Sequence, residues 1–198
     1  MKKARPNVQN SVRYGRGFTL IETLVAISIL LIALAGPLTI AAKGLNSSYY
    51  ARDQITAFYL AQEGIEYIRN YRDTDSLSRG PLAPGEEWLS PLVTAVNGTV
   101  TGSLKFTIDA KYSPTLSGGS INPIGIFTCS GGVCPSLKLN PTGTYGYGVG
   151  DPDTQFIREM TLTKITDSAY RITSKVSWRS PLPNSSFTLV EDITNWQQ

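Results

Sequence analysis

The hydrophobic positions of this chain follow three different patterns from one end to the other. Residues 18–42 are apolar or small and neutral, and a single glutamate interrupts them. As a helix that rises 1.5 Å per residue, this run would be about 37 Å long, enough to cross a hydrocarbon core of about 30 Å. The first pattern therefore predicts a membrane-spanning helix.

The second pattern covers residues 43–76 and has the period of an amphipathic helix. Its apolar residues recur at spacings of three and four, while charged residues such as Arg52, Glu66 and Arg69 occupy the other faces. The predicted buried face consists of Ile55, Phe58, Ala61, Ile65, Ile68 and Tyr71. Polar residues at 73–76, followed by Gly-Pro at 80–81 and Pro-Gly at 84–85, predict the end of this helix.

The third pattern, after residue 85, has the period of two that is typical of strands. Residues 104–112, 156–165, 170–178 and 187–194 are predicted strands, and the connections at 166–168 and 180–184 suit an antiparallel meander. One face of such a sheet is apolar, and the second half of the helix is the only amphipathic element available to cover it. The sequence thus predicts an α+β fold, in which a long N-terminal helix packs on a small antiparallel sheet within residues 77–198.

Residues 115–154 interrupt the strand pattern. They hold nine of the eighteen glycines, four prolines and both cysteines, which predicts a long loop that is either functional or poorly ordered. The aromatic stretch at 145–150 is compatible with a contact tip, although a solvated irregular loop is the favoured interpretation. Cys129 and Cys134 are predicted to form a local disulfide if this part is exported, with free thiols as the alternative.

The charge of the chain is concentrated before the apolar run. Residues 1–17 contain five basic side chains and no acidic ones. The whole sequence has a net charge of +3, but the remainder has 13 basic and 15 acidic side chains and is therefore slightly negative. Five positive charges ahead of an apolar run hold that end in the cytoplasm, which places everything after residue 42 outside it. The basic balance therefore indicates topology and gives no indication of nucleic-acid binding.

The junction between these two parts is the most specific motif in the sequence. Residues 17–26, Gly-Phe-Thr-Leu-Ile-Glu-Thr-Leu-Val-Ala, closely resemble the processing site of type IV pilins and type II secretion pseudopilins. The resemblance implies that a prepilin peptidase removes the leader, residues 1–17, after Gly17 and that Phe18 is methylated. It also implies assembly with other subunits through an inner-membrane platform, into a cell-surface or periplasmic filament. Residues 60–66 and 69–73 resemble minor rather than major subunits.

Two further features of the apolar run have alternative interpretations. In the family that the chain resembles, Glu22 pairs with the amino group of a neighbouring subunit's first residue; alternatively it is an acid favoured by the helix dipole. Gly36 and Pro37 predict a kink or a locally melted stretch, because proline removes one backbone hydrogen bond. That kink is either a feature tolerated in a membrane helix or a point of flexibility for a subunit that leaves the bilayer.

The sequence gives no indication of catalysis. It contains no histidine and no Gly-x-Ser-x-Gly motif, and we expect no cofactor. The adjacent acids at 86–87 and 191–192 would point to opposite faces of a strand, and Asp151 with Asp153 is an incomplete calcium ligand set, so we expect no metal site. The sequence therefore predicts a structural subunit, and the alternative is a membrane-tethered binding module that contacts its partner through residues 115–154.

Overall fold

We describe a computed structural model of the chain. The described residues are 17–79, 88–95, 104–112, 115–117, 120–122, 125–179 and 185–195. The leader before Gly17, the predicted helix terminators at 80–85 and the predicted connection at 180–184 lie outside them. The chain divides into two compact units, Met1–Ser47 and Ser48–Gln198.

The first helix, α1, covers Leu20–Arg79. In the first unit its side chains are exposed throughout, and this part is apolar and long enough to cross a membrane. In the second unit the same helix buries one face, as the amphipathic pattern predicts. A short second helix, α2, covers Ser90–Ala95.

The strands are all paired antiparallel. Their bounds are β1 (Leu104–Ile108), β2 (Thr115–Ser117), β3 (Ser120–Asn122), β4 (Ile126–Thr128), β5 (Ser136–Leu139), β6 (Tyr145–Gly146), β7 (Asp153–Thr166), β8 (Ala169–Trp178) and β9 (Ser186–Thr194). Strands β2 and β3 form a separate pair, and the other seven form one sheet. The predicted α+β fold, a long N-terminal helix on an antiparallel sheet, is confirmed.

Strand β7 is the centre of that sheet. On one side it pairs with β8, which pairs with β9 to complete the predicted meander. On the other side two strands share it: Met160 lies opposite Phe106 of β1, and Ile157 lies opposite Ser136 of β5. The partner strand therefore changes between Ile157 and Met160, which leaves a short gap in the pairing along this side of β7.

Helix α1 covers the sheet with a face that differs from the predicted one. Residues Ala61, Ile65, Ile68 and Tyr71 are buried as predicted, but Ile55 is 58% exposed and Phe58 is 39% exposed. The buried face begins instead with Ala57 and Leu60. With 3.6 residues per turn, Ile55 lies about 200° around the helix from Ala57 and so faces away from the sheet.

The helix packs tightly against the sheet at Gly64. A Cβ built on this residue would lie 2.7 Å from Met160 Sδ and 3.1 Å from Ser174 Oγ. Larger side chains flank the crossing on the helix, in particular Ile65 and Ile68, and both are buried. The absence of a side chain at Gly64 therefore sets the distance between helix and sheet.

The sequence predicted that the amphipathic helix alone would cover the sheet, but a second segment also covers it. Trp88 and Leu89, with Leu92 and Val93 of α2, are all buried in the main core cluster. Trp88 packs edge-on against Tyr170 of β8, with ring centroids 5.5 Å apart. This short apolar segment escaped prediction because it is too brief to show a helical period.

Residues 115–154 are also more ordered than the predicted irregular loop. Their described part contains five short strands, three of which, β4, β5 and β6, join the main sheet. Tyr145 and Tyr147 are half-buried and pack against a second core cluster, where Tyr145 meets Phe156 edge-on at 5.9 Å. The prediction of a solvated loop at 145–150 was therefore wrong for its tyrosines, although Val149 is fully exposed.

Candidate functional site

The residues of the predicted processing junction lie just ahead of α1. Gly17, Phe18 and Thr19 are outside the helix, which begins at Leu20. Phe18 is 79% exposed, and a Cβ on Gly17 would have no heavy atom within 4 Å. The peptide bond between Gly17 and Phe18 is thus accessible in the first unit.

Thr19 is the residue at which the helix starts. Its hydroxyl oxygen accepts a hydrogen bond from the backbone N–H of Glu22 at 3.3 Å, and its carbonyl accepts one from the N–H of Thr23 at 3.2 Å. These are the two bonds of an N-cap residue, and threonine three residues before glutamate is the sequence pattern of a capping box. This cap was not predicted from the sequence, although Thr19 and Glu22 have the spacing of a capping box.

Glu22 lies in the first turn of α1. Its carboxylate is favoured there by the helix dipole, which is one of the two interpretations given above. Glu22 is also the only ionisable side chain in residues 18–42, and within the described part of the chain it has no cationic partner. An acid so placed in an apolar segment needs a partner from elsewhere when that segment lies in lipid.

The hydroxyl groups farther along the segment need no outside partner. Each donates a hydrogen bond of 2.8 Å to a backbone carbonyl three or four residues earlier, which satisfies it within the helix. These bonds run from Thr23 to Leu20, from Ser28 to Leu24 and from Thr39 to Ala35. The hydroxyl groups of these three side chains are therefore satisfied within the helix, and Glu22 is the polar side chain of the segment that is not.

Gly36 and Pro37 both lie inside α1. Proline has no N–H to donate to the carbonyl four residues earlier, so one hydrogen bond of the helix is missing at this point. The kink expected at Gly36 and Pro37 stays a prediction.

The predicted disulfide is confirmed. Cys129 and Cys134 are bonded, with their Cα atoms 4.4 Å apart, and the bond closes the connection from β4 to β5. Within the ring Gly131 and Gly132 have φ angles of 62° and 79°, a conformation that residues with a Cβ rarely adopt. Cys134 is buried, so one end of the ring is anchored in the domain.

A buried arginine, which the sequence analysis missed, lies in the gap in the pairing along β7. The side chain of Arg158 has no exposed surface, and its Nη1 donates to the carbonyl of Leu60 at 2.9 Å and to Glu63 Oε2 at 2.7 Å. Its Nη2 donates to the carbonyl of Ile108 at 2.6 Å. Arg158 therefore links helix α1 to the end of β1 through the gap.

Polar groups beside this gap hold the tyrosine-rich segment in place. Asp109 is buried and accepts hydrogen bonds from the backbone N–H groups of Lys111 and Tyr147 at 3.1 and 2.9 Å. The Tyr147 hydroxyl is 2.8 Å from that of Thr107, and burial raises the pKa of Tyr147. Burial, with a smaller contribution from Asp109, raises the pKa of Tyr67 to about 12. The raised pKa values keep the two tyrosines neutral, and the hydrogen bonds of Asp109 and Tyr147 are those of a structural network.

The carboxylates considered as acid–base candidates occupy separate places. Glu191 accepts a hydrogen bond from Arg69 of α1 at 2.6 Å, whereas Asp192 accepts two from Arg171 of β8, both at 2.8 Å. The hydrogen bonds from Arg171 lower the pKa of Asp192. The two acids thus point to opposite faces of β9, as predicted. In the part of the chain that the structure describes, no group of three or more acidic or cysteine side chains could hold a metal ion.

Comparison with known proteins identifies the first unit. Residues 13–36 match the family model described as the prokaryotic N-terminal methylation motif, which is the signature of type IV pilins and pseudopilins. The motif marks a pilin-like subunit that is processed by a prepilin peptidase, of a class that is typically structural, and it fits a single-pass membrane protein. No curated protein and no solved structure matches the chain significantly.

Proposed function

We propose that this chain is a minor pilin or pseudopilin, a structural subunit that assembles through its N-terminal helix into a filament of the type IV pilus or type II secretion kind. Residues 18–42 span the membrane before assembly, with the leader in the cytoplasm and the second unit outside. The prepilin peptidase cleaves between Gly17 and Phe18 and methylates Phe18. The observation that carries the proposal is the accessible Gly17–Phe18 bond immediately ahead of a helix that is exposed, apolar and of membrane length.

Assembly in this proposal depends on Glu22. It is the one ionisable side chain in a segment whose hydroxyl groups are hydrogen-bonded within the helix, and its carboxylate pairs with the amino group of a neighbouring subunit's Phe18. Two opposite charges about 4 Å apart attract by roughly 4 kcal/mol at an effective dielectric of 20, before the cost of desolvation. A helix-terminal acid without this role would gain only about 0.3–1 kcal/mol from the dipole.

Processing is tested by mass spectrometry of the native protein extracted from membranes. We expect an N-terminus at Phe18 that carries one methyl group. Gly17→Leu should block cleavage, because a site shaped for a residue without a Cβ has no room for leucine. Gly15→Leu, which places the same side chain two residues upstream, is the matched control and should be cleaved. An intact leader on the wild-type protein would contradict the proposal.

Assembly is tested with Glu22→Gln, which keeps the size of the side chain and removes its charge. Membrane insertion should be unchanged or improved, while the amount of the protein in filaments sheared from the cell surface or purified from the periplasm should fall. Ser28→Ala is the control, since its hydroxyl is satisfied within the helix. If Glu22→Gln entered filaments at the wild-type level, Glu22 would be only a helix-terminal acid. If wild-type protein never entered filaments, a membrane-tethered binding module would be the better description.

A further inference from the structure

The start of α1 is fixed by one side chain that lies close to the scissile bond. Thr19 caps the helix through Glu22, and the Gly17–Phe18 bond lies immediately before this cap, outside the helix. The first N–H groups of a helix have no partner within the helix, and an unpaired N–H is costly beside a membrane. The position at which a cap satisfies one of them therefore determines where the helix begins.

The position of the helix start decides whether the bond can be cleaved. In a helix, the carbonyl of Gly17 would be engaged with an N–H four residues later, and the neighbouring turn would cover it. Hydrolysis requires water to add to that carbonyl, so that the C–N bond to Phe18 breaks and Phe18 leaves as a free amine. When the helix always starts after Thr19, the Gly17 carbonyl is always accessible. When the helix start varies among molecules, the carbonyl is accessible in only a fraction of them.

We propose that Thr19 is a positioning residue for processing, because its cap holds the Gly17–Phe18 bond outside the helix in the form that the peptidase binds. This inference rests on the proposed function and adds to it a residue beyond the junction itself. Thr19 acts through the helix start, so any side chain that accepts the same hydrogen bond can replace it. Serine and asparagine are the substitutes expected to work, since both are good N-cap residues.

The experiment measures cleavage of the full-length chain in detergent micelles by a prepilin peptidase, with initial rates taken over a range of substrate concentrations. Thr19→Val keeps the shape of the side chain and removes the cap. We expect kcat/KM to fall by up to about fivefold, the factor by which the usual loss of an N-cap changes the ratio of competent to incompetent substrate. The loss should appear in KM with kcat nearly unchanged, because a substrate that is competent only part of the time binds more weakly in proportion.

Two comparisons separate the cap from other roles of Thr19. Thr19→Ser and Thr19→Asn should restore KM, and the backbone amide of Glu22 should exchange its hydrogen faster in Thr19→Val than in either of them. Ser28→Ala should be cleaved like the wild type. Wild-type kinetics for Thr19→Val, or an equal loss for Thr19→Ser and Thr19→Val, would overturn the inference while leaving the proposed function intact. Absence of cleavage in the wild type would instead refute the proposed function.

Discussion

The ion pair between Arg158 and Glu63 supports a prediction that runs against the usual expectation for a buried residue. The Arg158 side chain is completely buried, whereas that of Glu63 is 40% exposed. Removing Glu63 leaves a buried cation without its anion, but removing Arg158 leaves an anion that can return to water. We therefore expect the substitution of the exposed partner to be the more harmful one.

The magnitudes follow from the contacts. In Glu63→Gln the amide can still accept a hydrogen bond from Nη1, so what is lost is the charge beside a buried guanidinium. Breaking a buried ion pair in this way costs about 3–5 kcal/mol, which the partial exposure of Glu63 should reduce to about 2–3 kcal/mol. Arg158→Met fills the space with an apolar side chain and leaves Glu63 free to reach water, so it should cost only about 1–2 kcal/mol, mainly for the lost hydrogen bonds to the carbonyls of Leu60 and Ile108.

The assay is urea unfolding of a soluble fragment that starts at Ser48, followed by the fluorescence of the buried Trp88 and Trp178. This fragment should itself be folded and monomeric, because it lacks the apolar segment. Glu66→Gln is the control, since Glu66 is 52% exposed and its partner Arg69 is 41% exposed, so its loss should cost at most about 0.5 kcal/mol.

Two outcomes would refute the reasoning about this pair. If Arg158→Met cost more than Glu63→Gln, the bonds from Arg158 to the backbone carbonyls would matter more than its charge. If Glu63→Gln were as mild as Glu66→Gln, burial of the guanidinium would have no energetic consequence. A double-mutant cycle between the two positions should give a coupling of about 2 kcal/mol in favour of the native pair.

Three further predictions concern the second unit. Gly64→Ala should lower the free energy of unfolding by about 1 kcal/mol, because crowding against Met160 outweighs the gain in helix propensity, and a gain in stability would show that Met160 moves aside. In the wild type the raised pKa of Tyr67 keeps the folded state protonated after the unfolded chain has lost its proton, so this contribution to stability is complete below about pH 10 and is lost up to about pH 12. Tyr67→Phe should therefore make the fall in stability between these pH values less steep. An unchanged slope would contradict this. Reduction of the Cys129–Cys134 bond should cost about 2 kcal/mol and speed amide exchange only near the ring, since the closed loop is short, and global unfolding would contradict that estimate.

The sequence predicted those parts of the fold whose pattern is long and regular. The alternation along β7 and β8 is strong because a sheet with one solvated face needs it over many residues. The helix face was only partly correct, because Ile55 and Phe58 have the right spacing but the contact with the sheet is centred elsewhere. The deciding residue was Gly64, whose lack of a side chain brings the helix close, and hydrophobic periodicity assigns glycine no weight.

Arg158 was missed although a signal was present. Phe156, Met160 and Leu162 alternate and face inward, and the same alternation places Arg158 inward as well. A charged residue at an inward position indicates either a buried ion pair or an error in the pattern. Its partners, at residues 60, 63 and 108, come from distant parts of the chain, so they could be found only in the structure.

The N-terminal motif could be recognised from sequence because its chemistry is local. Glycine before phenylalanine, glutamate within the first turn and an apolar run all lie within about 30 residues, so no tertiary contact is needed to bring them together. The Thr19 cap is equally local, and it was overlooked because the motif was interpreted as a recognition signal and not also as a helix start.

The hydrogen bonds of Arg158 have a consequence for the order in which the second unit folds. They join residues that are 98, 95 and 50 positions apart, so none can form until β7 is available. Until then the apolar face of α1 has no sheet to cover it, and closing such long loops makes folding slow compared with that of a helical bundle. A chain halted before residue 153 would keep that face exposed. The helix can thus dock through these hydrogen bonds only after the central strand β7 is present.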